Sequence, residues 1–329
     1  MAHTQSELYQ KFDLRHFLSG RANEIGLLVA ILVLYAFLTA FASNFMTLPN
    51  QLNILRDAAF VGIIAWGMTL VLISGEIDIS VGPHVAFAGV LLASLAQSGV
   101  PLAVAALVVI VLGALIGCFT GVLRAFLDVP SFIVTLALWL GLRGTAQVMS
   151  DAVPIVIMDF SFQRLGAGWL LGIPTPAAIM LVLFAVFSFV ATRTVFGRSV
   201  YAVGGNAEAA RLSAIPVARV RILVFAITGA LAALTGILMA SRLGSGNSGA
   251  ASGLEFDIIA AVVVGGTSLF GGRGTMLGTL LGVIFIAALV NGLVLMGVDP
   301  FAQGIVRGVV LLVAVMVNII SIKRMRGRA

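Results

Sequence analysis

Ten apolar runs, at about 25–42, 58–74, 83–97, 101–121, 131–149, 174–191, 221–241, 258–270, 275–297 and 304–320, fill most of this 329-residue chain. Most approach the roughly 20 residues that a helix needs to cross a bilayer, although 83–97 and 258–270 are short. Hydrocarbon offers backbone N–H and C=O groups no partner, so spanning segments must satisfy them internally. Runs of this length do so as helices. The expected fold class is therefore all-α: an integral membrane, polytopic bundle of about ten transmembrane helices, some short or broken. Only 10% of the residues are charged and 60% are hydrophobic, against about 25% charged in a soluble domain. The expected organisation is an N-terminal segment over 1–24, a single transmembrane domain over 25–320 with a long polar loop at 192–221, and a basic tail over 321–329.

Positive charge in the loops sets the expected orientation. Lys11, Arg15 and Arg21 precede the first run, Arg193, Arg198, Arg211, Arg219 and Arg221 fall in or beside the 192–221 loop, and Lys323, Arg324, Arg326 and Arg328 close the chain. All three groups are expected on the cytoplasmic side. Six spans then separate the first from the second, and four more return the tail to that side, provided that 258–270 crosses. That crossing is expected to be short or broken, with "GGTSLFGGRG" at 265–274 at membrane depth inside protein, because irregular backbone survives there only when shielded from lipid. The first run has no small-residue cleavage site after it and reads as a retained helix.

Several chemistries are excluded. The single cysteine, Cys118, permits no intrachain disulfide or cysteine-based metal cluster, and His3, His16 and His84 lack metal-ligand spacing. His84, after Pro83, reads as a helix-end residue satisfied by a partner. The net charge of +6 lies on loops, as topology requires, and does not indicate nucleic acid. "GGRGTMLG" at 271–278 has no lysine to reach a phosphate, since the only lysines are Lys11 and Lys323. Any ATP-driven function must draw on a partner's ATPase.

Three stretches carry the remaining information. In "LISGEIDISVG" at 72–82, two carboxylates sit between glycines and between apolar runs. The segments 71–93 and 262–285 share an order of apolar run, glycine, polar residues, glycine and small-residue helix start, which suggests two structural halves in one orientation. Gly113, Gly117 and Gly121, and likewise Gly274, Gly278 and Gly282, recur every four residues, a spacing that brings helices close. In the 192–222 stretch, "NAEAARLSAI" at 206–215 reads as a short helix with Asn206 as N-cap, Glu208 near its positive end and Arg211 further on. Gly204 and Gly205 precede it and Pro216 follows. Such a helix between two crossings suits docking by another protein better than catalysis.

These stretches carry a resemblance. "GMTLVLISGEIDISVG" at 67–82, "FGRSVYAVGGNAEAARLSAI" at 196–215 and "EFDIIAAVVVGGTSLFGGRGTMLGTLLGV" at 255–283 with "NGL" at 291–293 make the chain similar, over nearly its full length, to permease subunits of the ribose/xylose-type bacterial ATP-binding-cassette sugar importers. It departs from the pattern at Pro83 and His84, where a serine usually follows "SVG", and at Ala214, where glycine is common. The resemblance implies an ABC importer permease fold in the bacterial inner membrane, with both termini cytoplasmic. It further implies a homo- or heterodimeric permease pair, partner ATPase subunits carrying ATP and Mg, and a periplasmic solute-binding protein delivering a monosaccharide. The chain itself is then no enzyme and binds no cofactor. Within 197–215, it assigns ATPase coupling to Gly197, Arg198, Gly204, Gly205, Asn206, Glu208, Arg211 and Ile215.

Other roles stay open. Asp78 can cap the helix that follows it, or Glu76 and Asp78 can line the inner gate, with Gly75 and Gly82 permitting the reversal between spans. The capping role is preferred. Trp66, Thr69, Asn291 and Gln303 are candidates for the translocation path and equally for ordinary interhelical hydrogen bonds. Glu255 and Asp257, expected on the outer side, are candidates for contact with the binding protein. An ion-coupled secondary transporter, or the same architecture importing a non-sugar solute, is the competing reading.

Overall fold

The computed structural model describes residues 22–326, with side chains to Met316. The basic segment before residue 22 and the charged side chains of the tail lie outside the described residues. The chain forms thirteen described helices: α1 (Ala22–Phe41), α2 (Leu48–Ile73), α3 (Val81–Gln97), α4 (Leu102–Phe126), α5 (Ser131–Ser150), α6 (Phe160–Ala167), α7 (Thr175–Arg193), α8 (Val195–Gly205), α9 (Ala207–Leu212), α10 (Val217–Leu243), α11 (Leu254–Val264), α12 (Met276–Leu295) and α13 (Pro300–Arg326). Four two-residue strands, β1 (Ile155–Val156), β2 (Trp169–Leu170), β3 (Ile173–Pro174) and β4 (Ser245–Gly246), complete it.

Seven helices, α1, α2, α4, α5, α7, α10 and α12, are long and apolar enough to cross a membrane. Of the other apolar runs, α3 and the Pro300–Met316 part of α13 are shorter, and α11 has 11 residues, about 16 Å. The protein is a multi-pass helical membrane protein. We term the end that carries α8 and α9 basal and the other apical.

The centre is α2, buried almost continuously from Ala58 to Ile73, with α7, α10, α11 and α12 around it. Glycines set the closest approaches. On α4, a Cβ at Gly117 would lie 2.1 Å from the Phe225 carbonyl oxygen, and one at Gly113 2.7 Å from that of Gly229. The every-fourth-residue glycines thus let α4 lie backbone to backbone on α10. Gly278 and Gly282 do the same for α12 against α11, at the carbonyls of Gly265 and Ala261. Gly274 is not on that helix face. It lies in the preceding loop, where its absent Cβ leaves room for the Thr267 side chain.

At the apical end β1 pairs antiparallel with β4, and β2 with β3 across Leu171 and Gly172, both at positive φ, the signature of a tight hairpin turn. Asp159 caps α6 by accepting from the backbone N–H groups of Ser161 and Phe162. The Ser161 hydroxyl, first, and the Phe162 N–H hold its carboxyl below the usual range.

The irregular stretches do not fall where the sequence suggests. Residues 265–275 lie at the basal end, with Gly271 against Gly75 and Gly204, and Phe270 is 66% exposed. Their glycines turn the chain, with Gly266, Gly271 and Gly272 all at left-handed φ. The non-helical backbone that runs along the spans is instead 247–253, before α11. It descends beside α5: the Ser248 hydroxyl meets that of Ser150 at the end of α5, and Glu255 reaches Trp139 halfway along it. The stretch 244–265 is therefore non-helical on its apical side, because the left-handed Gly253 starts the helix late. The segments 71–93 and 262–285 are both helix–loop–helix hairpins whose loops touch at Gly75 and Gly271.

Candidate functional site

The candidate coupling residues sit on two consecutive helices. Thr194 caps α8 through a 3.1 Å bond from the Gly197 N–H, and a Cβ at Gly197 would lie 2.3 Å from the Val190 carbonyl oxygen, so this glycine allows the tight turn out of α7. Arg198 is exposed. Asn206 caps α9, its side-chain oxygen accepting from the N–H groups of Glu208 and Ala209 at 3.0 Å each, an arrangement that contributes about 1 kcal/mol. Glu208 and Arg211 are both exposed and 3.8 Å apart, and such a surface pair contributes little to stability. The helix is shorter than 206–215 because Ala214 adopts φ +60°. There the Ile215 N–H bonds back to the Ala210 carbonyl, closing the helix as C-terminal caps do.

Left-handed backbone costs an L-residue about 1–2 kcal/mol, which gives physical content to the departure from glycine at 214. Ala214→Gly is expected to stabilise the protein by about 1 kcal/mol, read as a raised thermal midpoint of the purified protein in detergent. An unchanged or lowered midpoint contradicts it.

The helices α8 and α9 rest on the glycine loop. The Tyr201 hydroxyl donates to the Gly274 carbonyl at 2.8 Å, and burial pushes the Tyr201 phenol above its ordinary value. Gly204 lies directly on the last turn of α2: a Cβ there would fall 1.6 Å from the Ile73 carbonyl oxygen and 2.7 Å from the Gly272 nitrogen. That same oxygen accepts the Gly272 N–H at 2.8 Å. A cavity of 250 Å³ opens beside this contact between Gly204, Gly205, Phe270 and Arg273.

Gly75 opens the acidic loop, which holds Glu76 and Asp78. Gly75 does turn the chain, at φ +81°, whereas Gly82 is helical and does not. Its missing Cβ makes room for Glu255, whose Oε2 would lie 1.9 Å from such an atom. Glu76, 4% exposed, accepts from Arg124 Nε at 2.9 and 3.0 Å. Arg221 Nε lies 2.9 Å from the same carboxylate without hydrogen-bond alignment. One carboxylate thus joins the 74–80 loop to the end of α4 and the start of α10. Asp78, also buried, accepts from the Ser80 N–H at 2.9 Å and the Ser80 hydroxyl at 2.6 Å. It closes a turn on Ser80, the residue before α3, rather than accepting from the first-turn N–H groups of α3, and α3 has no side-chain cap. Asp78→Asn keeps the acceptor oxygen and is expected to retain assembly, whereas Asp78→Leu leaves buried donors unsatisfied at about 1–3 kcal/mol. Size-exclusion profiles of the two variants distinguish them, and equal profiles contradict the turn-closing role.

The polar candidates for the path are already paired within the protein. Trp66 donates to the Met180 carbonyl, the Thr69 and Thr279 hydroxyls are 2.7 Å apart, Asn291 and Asn50 exchange two amide bonds of 3.0 Å, and Gln303 donates to the Val298 carbonyl. Glu255 and Asp257 are inside. Glu255 is 1% exposed and accepts from Trp139 at 2.8 Å, beside the first turn of α3, whose positive end favours a carboxylate. Asp257 pairs with Arg307 at 3.0 Å. In this conformation neither carboxylate faces outward. His84 is buried too, and its Nε2 has no hydrogen-bond partner among the described residues, contrary to the satisfied helix end expected.

Sequence reasoning passed over Arg124, Trp139, Arg143 and Arg307. Arg143 carried a usable signal, a lone charge within an apolar run. Arg124 and Arg221 look like loop charges until the fold brings them to Glu76.

A family described as branched-chain amino acid transport system / permease component matches residues 50–315. The chain belongs to this permease family. Over 95% of its length the permease is 58% identical to the probable ABC transporter permease protein YphD of Escherichia coli (strain K12), covering 94% of that protein. It is 42% identical to the ribose import permease protein RbsC of the same strain over 92% of this chain and 96% of that one. It is also 39% identical to the L-arabinose ABC transporter permease protein AraH of Azospirillum brasilense, over 89% and 87%. No solved structure matches the permease.

Proposed function

We propose that this permease forms the membrane path of an ATP-binding-cassette importer for a monosaccharide of the pentose or hexose class, delivered by a periplasmic binding protein and driven by ATPase subunits on the basal, cytoplasmic side. The observation that carries the mechanism is the seat of Gly204 on the Ile73 carbonyl. Exposed Glu208 and Arg211 of α9 are available to an ATPase, and a displacement of α8 and α9 cannot leave α2 and the acidic loop unmoved, because backbone meets backbone with no side chain to yield. Close-packed contacts of this kind transmit displacement. The names of the ribose and arabinose permeases support the substrate class. Both termini on the cytoplasmic side, ten crossings with α11 as half of one, and a permease pair complete the reading. Basic residues around 192–221 support that orientation.

The deciding experiment purifies the permease after co-expression with candidate ATPase and binding-protein subunits. ATP hydrolysis is then measured with binding protein loaded with ribose, arabinose, xylose or leucine, for wild type and for Glu208→Ala with Arg211→Ala. Stimulation by a sugar that the double variant loses is the expected result. Stimulation by leucine alone assigns the solute that the family's description names. Failure to associate with any ATPase overturns the energy source and favours an ion-coupled transporter.

A further inference from the structure

We infer that the non-helical segment 247–253, with Arg143, forms one wall of a water-filled path in the apical half of the membrane, and that its backbone groups and the guanidinium serve the hydroxyls of a neutral polyol. The inference rests on the sugar-permease reading for its ligand, but its geometry stands independently. Arg143 is 12 residues from the start of α5 and 7 from its end, about 18 and 10 Å along a candidate membrane span. From there Nη1 donates to the carbonyls of Ser248 and, at 2.9 Å, Ala250. The segment is thereby fixed within the depth of the span, between the Ser150 hydroxyl above and Trp139 with Glu255 below.

At this depth the protein leaves part of it uncovered. Gly249 and Ser252 are exposed, and Asn247, Ala250 and Arg143 are half-buried. Non-helical backbone and a charged side chain are both costly against lipid, and both are tolerated where they line water or protein. A surface with carbonyls, the Ser252 hydroxyl, the Asn247 amide, a guanidinium and a glycine, and no carboxylate exposed on it since Glu255 is buried, offers donors and acceptors without a net negative field. That suits an uncharged sugar. Of the candidates read from the sequence, Trp66, Thr69 and Gln303 are instead buried, and Asn291 is paired with Asn50.

The single cysteine makes the test direct. On a Cys118→Ser background, Ser252→Cys and, as a lipid-face control, Leu107→Cys on the exposed face of α4 are treated in cells with a negatively charged, membrane-impermeant methanethiosulfonate. Uptake of radiolabelled ribose, arabinose and xylose is measured before and after. The expected result is rapid modification at 252, none at 107, and at least a fivefold loss of uptake on modification. Absence of modification at 252 overturns the proposal, and so does modification that leaves uptake intact, because a bulky anion on the wall of the path must obstruct it. If no sugar is taken up before treatment, the sugar reading fails, while reactivity at 252 still decides whether the segment faces water.

Discussion

Glu76→Leu is expected to destabilise the permease by about 3–5 kcal/mol, enough to deplete it from membranes. The carboxylate is 4% exposed and faces two guanidinium groups, with side-chain exposures of 21% for Arg124 and 11% for Arg221. Removing one member of a buried ion pair leaves the others desolvated and uncompensated, and here two like charges also remain side by side. Arg124 has a further carboxylate in reach, the exposed Asp128 at 3.4 Å. Replacing the whole group, Glu76→Leu with Arg124→Met and Arg221→Met, is expected to restore most of the stability, because buried pairs are often no more stabilising than apolar side chains of similar volume. The measurement is the thermal midpoint and yield of each purified variant. A single variant as stable as wild type shows that the cluster is solvated in the membrane-embedded protein. Restored stability with absent transport in the triple variant makes the cluster a working part of the transport cycle.

Gly204→Ala is expected to cost about 3 kcal/mol or to uncouple the helices α8 and α9 from the bundle, while Gly205→Ala is tolerated within about 0.5 kcal/mol. The contrast between neighbours comes from what each would touch. A methyl group at 204 would fall on the Ile73 carbonyl oxygen, which is already held by Gly272, whereas one at 205 meets nothing within 4 Å. Overpacking against backbone cannot be relieved by a rotamer change, so α8 must lift off α2. Binding-protein-stimulated ATP hydrolysis and thermal midpoint, measured together, separate the two outcomes at 204. A normal midpoint with lost stimulation identifies the seat as the transmission contact, and normal values for both contradict the role given to it.

Much of this was legible locally. Apolar runs announce helices because length and hydropathy are properties of contiguous residues, and nine of the ten fall on helices almost throughout, while 258–270 is helical only to Val264; seven helices reach full span length by themselves. Asn206 was readable as a cap because capping involves only the next three residues. The resemblance places the chain in its permease class, and the family match agrees.

What the sequence left open depends on partners distant along the chain. Glu76 meets Arg124 and Arg221, 48 and 145 positions away. Gly82 is glycine for the sake of Glu255, not for a turn, and nothing within ten residues of either one says so. The non-helical stretch that runs along the spans precedes α11, because the chain is held along α5 by Arg143. The sequence by itself determined that the chain lives in a membrane, where most of its helices lie and which loop carries a capped, polar helix, since hydrophobic length, capping and charge bias are local quantities. Only the tertiary structure decided which charges pair, which glycines are contacts rather than turns, and where polar backbone is left exposed beside the long helices, because those depend on the distance between surfaces that meet only once the helices have packed.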